Sequence, residues 1–463
     1  MKIHITAICG TAMGSLAGLL KQAGHEVRGS DAGVYPPMSD QLAAQGIEIF
    51  DGYRAENLDW GPELVVIGNA VTKDNPESVA VRERGLDYTS GAEAIRRFFI
   101  HGKHSVVVAG THGKSTTSAL MAWLLESAGR DPGFLVGAVL RNFGTSFKHG
   151  SGDHFVVEGD EYDTAYFDKE AKFLHYEPRT TILTSIEFDH ADIFADIGAV
   201  RREFEKLMAI IPAGGALIAC QDYALVREVS KQCGGQVTPY GLSCEAGWTG
   251  KITKADERGA HLEILRDGNL WGRAVSPLYG EHNLSNQIAT AAACERLGIT
   301  AEEWRTGIES FEGVKRRQEI RGVSVRGVTI VDDFAHHPTA VRLTLEALRT
   351  RHPKGTLWAV FEPRTNTTRR AVFQKDYAGS FGGADEVIIA GVERPEKAPE
   401  GDRFDPGKLA ADLAERGIPA RCIPDVGQIV EYLKEHAAPG DTVAVLSNGG
   451  FGGIHEKLLE ALD

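Results

Sequence analysis

An α/β architecture of three domains in series is what this sequence predicts, and three observations carry the prediction. The chain has 463 residues, and at roughly 150 residues per domain that length favours about three cores over one. It holds 53 glycines, roughly one residue in nine against a usual ~7%, which without a repeat points to many tight strand-to-helix turns. Short apolar runs such as LVVIG at 64–68 alternate with helical stretches, the pattern of parallel strands covered by helices on both faces.

In chain order, a strand is expected over 2–8, a helix over 13–23, a strand over 25–29 ending at Asp31, and another over 64–68. The polar run His101-Gly102-Lys103-His104 precedes a second block with strands over 105–109, 155–158, 181–185 and 216–220. Residues 237–278 change character, because the alternation in KITKADERGAHLEILRDG suits antiparallel strands. A long helix is expected over 283–297. A third block begins near Arg316, with strands over 329–331, 357–361, 386–390 and 442–446 and a closing helix over 454–461. The expected domains are therefore 1–101, 102–315 and 316–463.

The 50 Lys and Arg against 64 Asp and Glu give a net charge of −14. An acidic chain lacks the broad positive field that binds nucleic acid or anionic membrane non-specifically. Anionic substrates would need positive charge at particular sites. No run supplies the ~18 apolar residues of a membrane span, and the apolar start reads as a strand rather than a signal peptide. The six cysteines, at 9, 220, 233, 244, 294 and 422, form no CxxC pair. Neither a disulfide framework nor a structural zinc site is indicated, and a reducing cytoplasm is the expected location.

The strongest local signal is Gly110-Thr111-His112-Gly113-Lys114-Ser115-Thr116, between a strand and a helix. Such a turn offers backbone N–H groups to phosphate, Lys114 can neutralise β/γ charge, and the Ser115 or Thr116 hydroxyl can ligate Mg²⁺. The full phosphate-loop pattern wants glycine where Val108 stands, so the loop is shortened. At the next strand end, EGDEYD places four carboxylates in six residues. This is either a solvated loop or the carboxylate partner of the metal, with Glu158, nearest the strand, the best candidate. TSIEFDH ends a further strand. A lone His190 there is more often a structural hydrogen-bonder than a ligand, and Mg²⁺ prefers oxygen.

Asn283 and Asn286 open a helix, where Asn283 or Ser285 could cap it or the two amides could read a base edge. Lys315-Arg316-Arg317 is the tightest basic cluster, either a solvated charge run in a linker or a phosphate clamp closing between domains. VDDFAHHP, with Asp333, links a strand to a helix as a capped turn or a site. FEPRTNTTRR carries three arginines, and SNGGFGG offers a second backbone cradle for an anion. The first turn, Cys9-Gly10-Thr11-Ala12-Met13-Gly14, with Asp31 beyond it, has Ala12 and Ser15 where a dinucleotide fingerprint needs glycine. It suits a nucleotide or diphosphate better than NAD.

Taken together, GTHGKST, EGDEYD, IEFDH, EHNxxN, KRRQE and VDDFAHHP resemble, in that order, the Mur ligases, ATP-dependent amide-forming enzymes of peptidoglycan synthesis. The resemblance implies an N-terminal Rossmann-like UDP-binding domain, a central P-loop ATPase-like domain and a C-terminal Rossmann-like domain. GSDAGVYPPMS, FDKEAKFLHYEPRT, EFDHADIF, FEPRTNT and SNGGFGGIHEKLL are most similar to a recycling branch. That branch joins the murein tripeptide L-Ala-γ-D-Glu-meso-diaminopimelate to UDP-N-acetylmuramate. The branch attaching L-alanine is the near rival. A nucleotide switch without ligase chemistry and an NAD-dependent oxidoreductase are rivals of other classes.

Residue by residue, the resemblance implies that Gly110, Thr111, His112, Gly113, Lys114, Ser115 and Thr116 hold the ATP phosphates. Ser115 or Thr116 and Glu158 would bind Mg²⁺, and His190 would serve a second Mg²⁺. Lys114, Glu158 and His190 would be the catalytic groups. Asn283 and Asn286 would contact adenine, with Arg317 and Asp333 completing the ATP site. Gly10, Thr11, Met13, Gly14 and Asp31 would form the UDP-sugar site, and Arg364 and Asn366 would face the peptide. Gly159 and Ser185 depart from the family pattern, which has Ala and Asn there. Lys206 stands roughly where some members carry a carbamylated lysine, but that modification is not carried over.

Overall fold

Three separate sheets organise the chain in the computed structural model, which describes residues 1–34, 38–243 and 247–463. Residues 35–37 of the GSDAGVYPPMS stretch and Cys244 lie outside the described residues. The first sheet is wholly parallel, in the order Glu48–Asp51, Glu26–Asp31, Lys2–Thr6, Leu64–Ile67, Tyr88–Ser90. Ile3 and Ile5 are fully buried, and Leu64, Val65, Val66 and Ile67 are buried without alternation. That is what a strand with helices on both faces requires.

The second sheet has ten strands. His104–Ala109 lies at its centre, parallel to His154–Gly159 on one side and to Thr180–Leu183 on the other. Gln236–Tyr240 pairs parallel with Ala216–Cys220, so the antiparallel region begins only at Trp248. The short helix Ala224–Ser230 supplies the crossover that makes this pairing parallel. Sequence alternation alone extended the antiparallel region too far. Thr145–Lys148 at the far edge and a separate hairpin, Asp163–Ala165 with Asp168–Ala171, carry no continuous apolar run. They left no strand signal in the sequence.

The third sheet runs Glu319–Val323, Thr329–Asp333, Thr442–Leu446, Leu357–Phe361, Glu386–Ile389, Ala420–Cys422, parallel apart from its first strand. Separate apolar clusters lie on its two faces, one around Phe361 and Tyr377 and one around Trp358 and Leu433. The first two sheets instead share a continuous cluster, in which Ile3, Leu16 and Phe99 join Phe155, Val157 and Phe173. The chain passes from the second sheet to the third through Arg316 and Gln318, both at positive φ (61° and 48°). Non-glycine residues hold that conformation only when their surroundings fix it.

Candidate active site between the three sheets

A cavity of about 940 Å³ opens where the sheets meet, large for a single-ligand pocket (about 300–1,000 Å³). Thr11 and Met13 line it from the first sheet's side, Lys114, Ser115, Glu158, His190, Asn283 and Asn286 from the second, and Arg317 and Asp333 from the third. Its floor is the turn between His104–Ala109 and the helix Lys114–Ser127.

Two glycines make that turn. Gly110 has φ +130° and Gly113 φ +80°. A Cβ on Gly110 would lie 2.3 Å from Thr184 Oγ1, and one on Gly113 would lie 2.6 Å from Asn286 Oδ1. The N–H groups of Thr111 and His112 are spent on Ser185, donating to its carbonyl at 3.0 Å and its Oγ at 2.9 Å. Ser185 therefore shapes the turn. The first-turn N–H groups of the helix, at Lys114 to Thr116, are left to face a ligand. Gly110→Ala is expected to destabilise the protein by about 1–3 kcal/mol and to abolish nucleotide binding. A variant with unchanged melting temperature and ATP affinity would contradict this account of the turn.

Lys114 Nζ donates to Gly110 O at 2.6 Å and to Glu161 Oε2 at 3.2 Å. Burial alone would lower its pKa, but Glu161, Asp160 and Glu158 outweigh burial and hold it above the ordinary lysine value. Ser115 Oγ donates to Glu158 Oε1 at 3.0 Å, and Gly137 N–H donates to Glu158 Oε2 at 2.8 Å. Ser115 and Glu158 thus form a pair of hard oxygens suited to Mg²⁺. Thr116 lines the cavity beside them.

Glu161, 3% exposed, is the carboxylate that sequence reasoning missed. It faces both Lys114 and His190 Nε2, the latter at 3.3 Å. The four-acid run was visible, but which acid turns inward depends on how the strand end twists. His190 sits at φ +55° with Nδ1 2.7 Å from the Tyr162 hydroxyl. Burial opposes its charge, yet Glu161 and Asp189 raise its pKa. With both ring nitrogens engaged, His190 fits a hard metal ion less well than Ser115 and Glu158 do. Lys172 holds Asp160 at 2.7 Å, and despite burial Lys172 and Lys114 bring that carboxyl down to about 2.

The arginine cluster divides its work. Arg317 donates to Ser115 Oγ at 3.3 Å, reaching the phosphate loop from the third block. Arg316 instead donates to the carbonyls of Ser447 (2.6 Å) and Gly449 (2.7 Å). The SNGGFGG loop, expected as an anion cradle, turns these two carbonyls toward the arginine, and its Gly449 N–H donates to Ser447 Oγ at 2.9 Å. Asp333 is buried and accepts from Gln318 N at 2.7 Å and Ala335 N at 2.8 Å, holding the crossover in place.

At the far end, Asn283 Nδ2 donates to Tyr279 O at 2.8 Å and Asn286 Nδ2 to Asn283 Oδ1 at 3.4 Å. Neither Asn283 nor Ser285 caps the helix Glu281–Arg296. His282, also missed, lines the cavity with Nδ1 unpartnered among the described residues, its pKa pushed down to about 4 by burial and Arg317.

On the opposite side, the helix Thr11–Gln22 points its N-terminus at the cavity through Thr11 and Met13. Gly10 and Gly14 are not on the wall. Gly14 instead admits the Met38 thioether, which a Cβ would meet at 2.4 Å. Asp31 accepts from Cys9 N and Gly33 N, both at 2.9 Å, and so braces this turn.

Arg364 and Asn366 also lie off the cavity wall. Arg364 pairs with Glu393 at 3.3 Å, and Asn366 donates to Asp192 at 3.1 Å. The latter belongs to a seam in which Thr367 accepts from Ala191 N at 3.1 Å and Arg370 donates to Ala191 O at 2.7 Å. Further along, His337 Nδ1 caps the helix Pro338–Arg351 by accepting from Thr339 N, and its Nε2 lies 3.1 Å from Phe188 O. The His112 and His337 rings meet at a tilt of 48° with centroids 4.6 Å apart, and His112 meets Glu187 at 2.6 Å. The seam draws the third block onto the second beside the phosphate loop. Lys206 lies apart, paired with Glu170 and Glu203 at 3.0 and 3.1 Å. Those two acids would repel a carbamate.

Residues 2–102 match the family described as "Mur ligase family, catalytic domain", residues 108–294 the "Mur ligase middle domain", and residues 316–449 the "Mur ligase, glutamate ligase domain". The UDP-N-acetylmuramate–L-alanyl-γ-D-glutamyl-meso-2,6-diaminoheptandioate ligase of Escherichia coli K12 is 44% identical over 100% of this chain and 98% of its own. A UDP-N-acetylmuramate–L-alanine ligase of Caldanaerobacter subterraneus is 33% identical over 99% and 97%. Among solved structures, a murein peptide ligase from Psychrobacter arcticus superposes with a TM-score of 0.73 at 34% identity, covering 100% of this chain and 98% of that one.

Proposed function

We infer the reaction from one premise: the chain belongs to the Mur ligase family. It is an ATP-dependent ligase that forms an amide bond. Its acid substrate is UDP-N-acetylmuramate and its amine is the tripeptide L-Ala-γ-D-Glu-meso-diaminopimelate, a reaction of murein recycling in the cytoplasm. No helix among the described residues is long and apolar enough to cross a membrane. The observation that carries the choice of amine is the full-length 44% identity to a ligase of that name, against 33% to an alanine ligase.

In this reading the division at 101 and 316 assigns one domain each to UDP-sugar, ATP and peptide. The lactoyl carboxylate attacks the γ-phosphate, giving an acyl phosphate and ADP. The peptide's α-amine then attacks the activated carbonyl, and phosphate leaves. Amide formation from a free carboxylate is uphill in water, so phosphorylation supplies the leaving group. Lys114 and Arg317 screen the phosphoryl charge as it moves, and the first-turn N–H groups of the helix hold the phosphate oxygens. Ser115 and Glu158, with Thr116 beside them, would hold Mg²⁺, which neutralises phosphate charge when bound. Asn283, Asn286 and His282 line the base end, and Asn286 also supports the phosphate loop. Thr11 and Met13 face the UDP-sugar, with Gly10, Gly14 and Asp31 shaping their turn. Arg364 and Asn366 border the peptide's approach. Closure of the seam keeps water from the acyl phosphate.

The test offers ATP, Mg²⁺ and UDP-N-acetylmuramate with either amine. Phosphate release and a new UDP-linked product are expected with the tripeptide. Efficient turnover of L-alanine alone would overturn this reading.

A further inference from the structure

The mechanism above makes no use of the hairpin that follows the acidic strand end. Its two strands, Asp163–Ala165 and Asp168–Ala171, belong to no larger sheet, yet they span the gap between the first and second sheets. The tip is seated on the N-terminal domain. Arg82, on the helix Pro76–Glu83, donates to the Tyr166 hydroxyl at 2.7 Å and to Lys73 O at 2.7 Å. Phe167 meets Tyr88 edge-on at 5.1 Å, and Tyr166 packs against the cluster that contains Leu58, Val65 and Val81. Just beyond the hairpin, His175 ties Asp168 (3.0 Å) to Glu93 of the N-terminal domain (3.4 Å).

The base of the hairpin stands in the phosphoryl site. Tyr162 precedes its first strand, and Lys172 N–H, after its second, donates to Tyr162 O at 3.0 Å. The Tyr162 hydroxyl and His190 Nδ1 share a hydrogen bond at 2.7 Å, with the two rings 4.4 Å apart. His190 needs such support, because its positive φ is a conformation that neighbouring contacts must over-determine. The remaining nitrogen then faces Glu161, and through it Lys114.

We propose that this hairpin is a strap through which the N-terminal domain sets the position of His190, with Tyr162 as the positioning residue and the Arg82–Tyr166 contact as its anchor. When the tip is seated, the Tyr162 hydroxyl is held against His190. When the anchor is cut, Tyr162 loses its fixed distance and the His190 ring keeps only its carboxylate neighbours, Glu161 and Asp189. The sugar-nucleotide domain is thereby linked to the phosphoryl site by protein atoms. The kinetic consequence rests on the ligase reading; the structural one does not.

The test uses the full chain with Arg82→Ala, Tyr162→Phe and both together. Arg82 is exposed and the phenylalanine ring keeps its packing, so all three proteins are expected to fold with near-native melting temperatures. In histidine-selective ¹⁵N NMR the His190 ring signals, identified by their absence in His190→Gln, are expected to move in both single variants. The double variant should match Tyr162→Phe. Loss of one such hydrogen bond is expected to lower kcat about tenfold, with KM for ATP held within about twofold and no further loss in the double variant. An Arg82→Ala spectrum with His190 at its native shifts would overturn the strap, as would losses that multiply in the double variant. Absence of turnover in the unmutated protein would overturn the ligase reading instead, and the NMR comparison would still decide the strap.

Discussion

Lys114→Met is expected to lower kcat/KM by about 10³-fold or more, the upper range for removing one preorganised charge from a phosphoryl or oxyanion site. Lys114 touches Gly110 O and Glu161, so it is positioned before any nucleotide arrives and needs no reorganisation to meet phosphate charge. The same substitution removes a cation beside Glu161, whose side chain is only 2% exposed. Breaking a buried ion pair costs about 3–5 kcal/mol, and the lower end is expected because His190 still faces Glu161. Lys114→Arg separates the two effects. It should restore much of the stability but little of the rate, because a planar guanidinium cannot reproduce both short contacts of an ammonium. Steady-state kinetics and thermal melts of the three proteins check this. A Lys114→Met enzyme within tenfold of the native rate would remove Lys114 from the mechanism.

Glu158→Gln carries the second large effect. Its carboxylate accepts from Ser115 and from Gly137 N–H, so its orientation is set by two donors. The amide preserves shape and loses the charge a hard cation needs, and the Mg²⁺ concentration for half-maximal rate is expected to rise by about 10–100-fold. At saturating Mg²⁺ the rate should recover only in part. ATP affinity measured without Mg²⁺ should change little, since Lys114 and the helix N-terminus remain. An unaltered Mg²⁺ requirement would move the metal to other oxygens, with Asp160 and Glu161 next in reach.

Much of this arrangement was legible from the sequence because it is local. A phosphate loop is a strand, a turn and a helix start in continuous order, so Gly110 through Thr116 could be read from spacing and residue type. The strands 216–220, 357–361 and 442–446 could be read because buried parallel strands are unbroken apolar runs. The readings that failed or fell short depend on direction. Whether SNGGFGG offers N–H groups or carbonyls is set by backbone rotation, and Arg316 takes the carbonyls. Which acid of EGDEYD faces Lys114 is set by the twist of a strand end, and it is Glu161.

By itself, the sequence determined the class of fold, the glycine turn at 110–116 between strand and helix, and the places where positive charge could gather in a chain of net charge −14. These follow from periodicity, from glycine's conformational freedom and from charge, which are properties of short stretches. Only the tertiary structure decided which residues meet. Arg317 lies 202 positions from Ser115, and His337 lies 149 from Phe188. Tyr166 reaches Arg82 across 84. Contacts at such separations form because three sheets meet around one cleft, and the packing of side chains on different sheets is not written in any one segment.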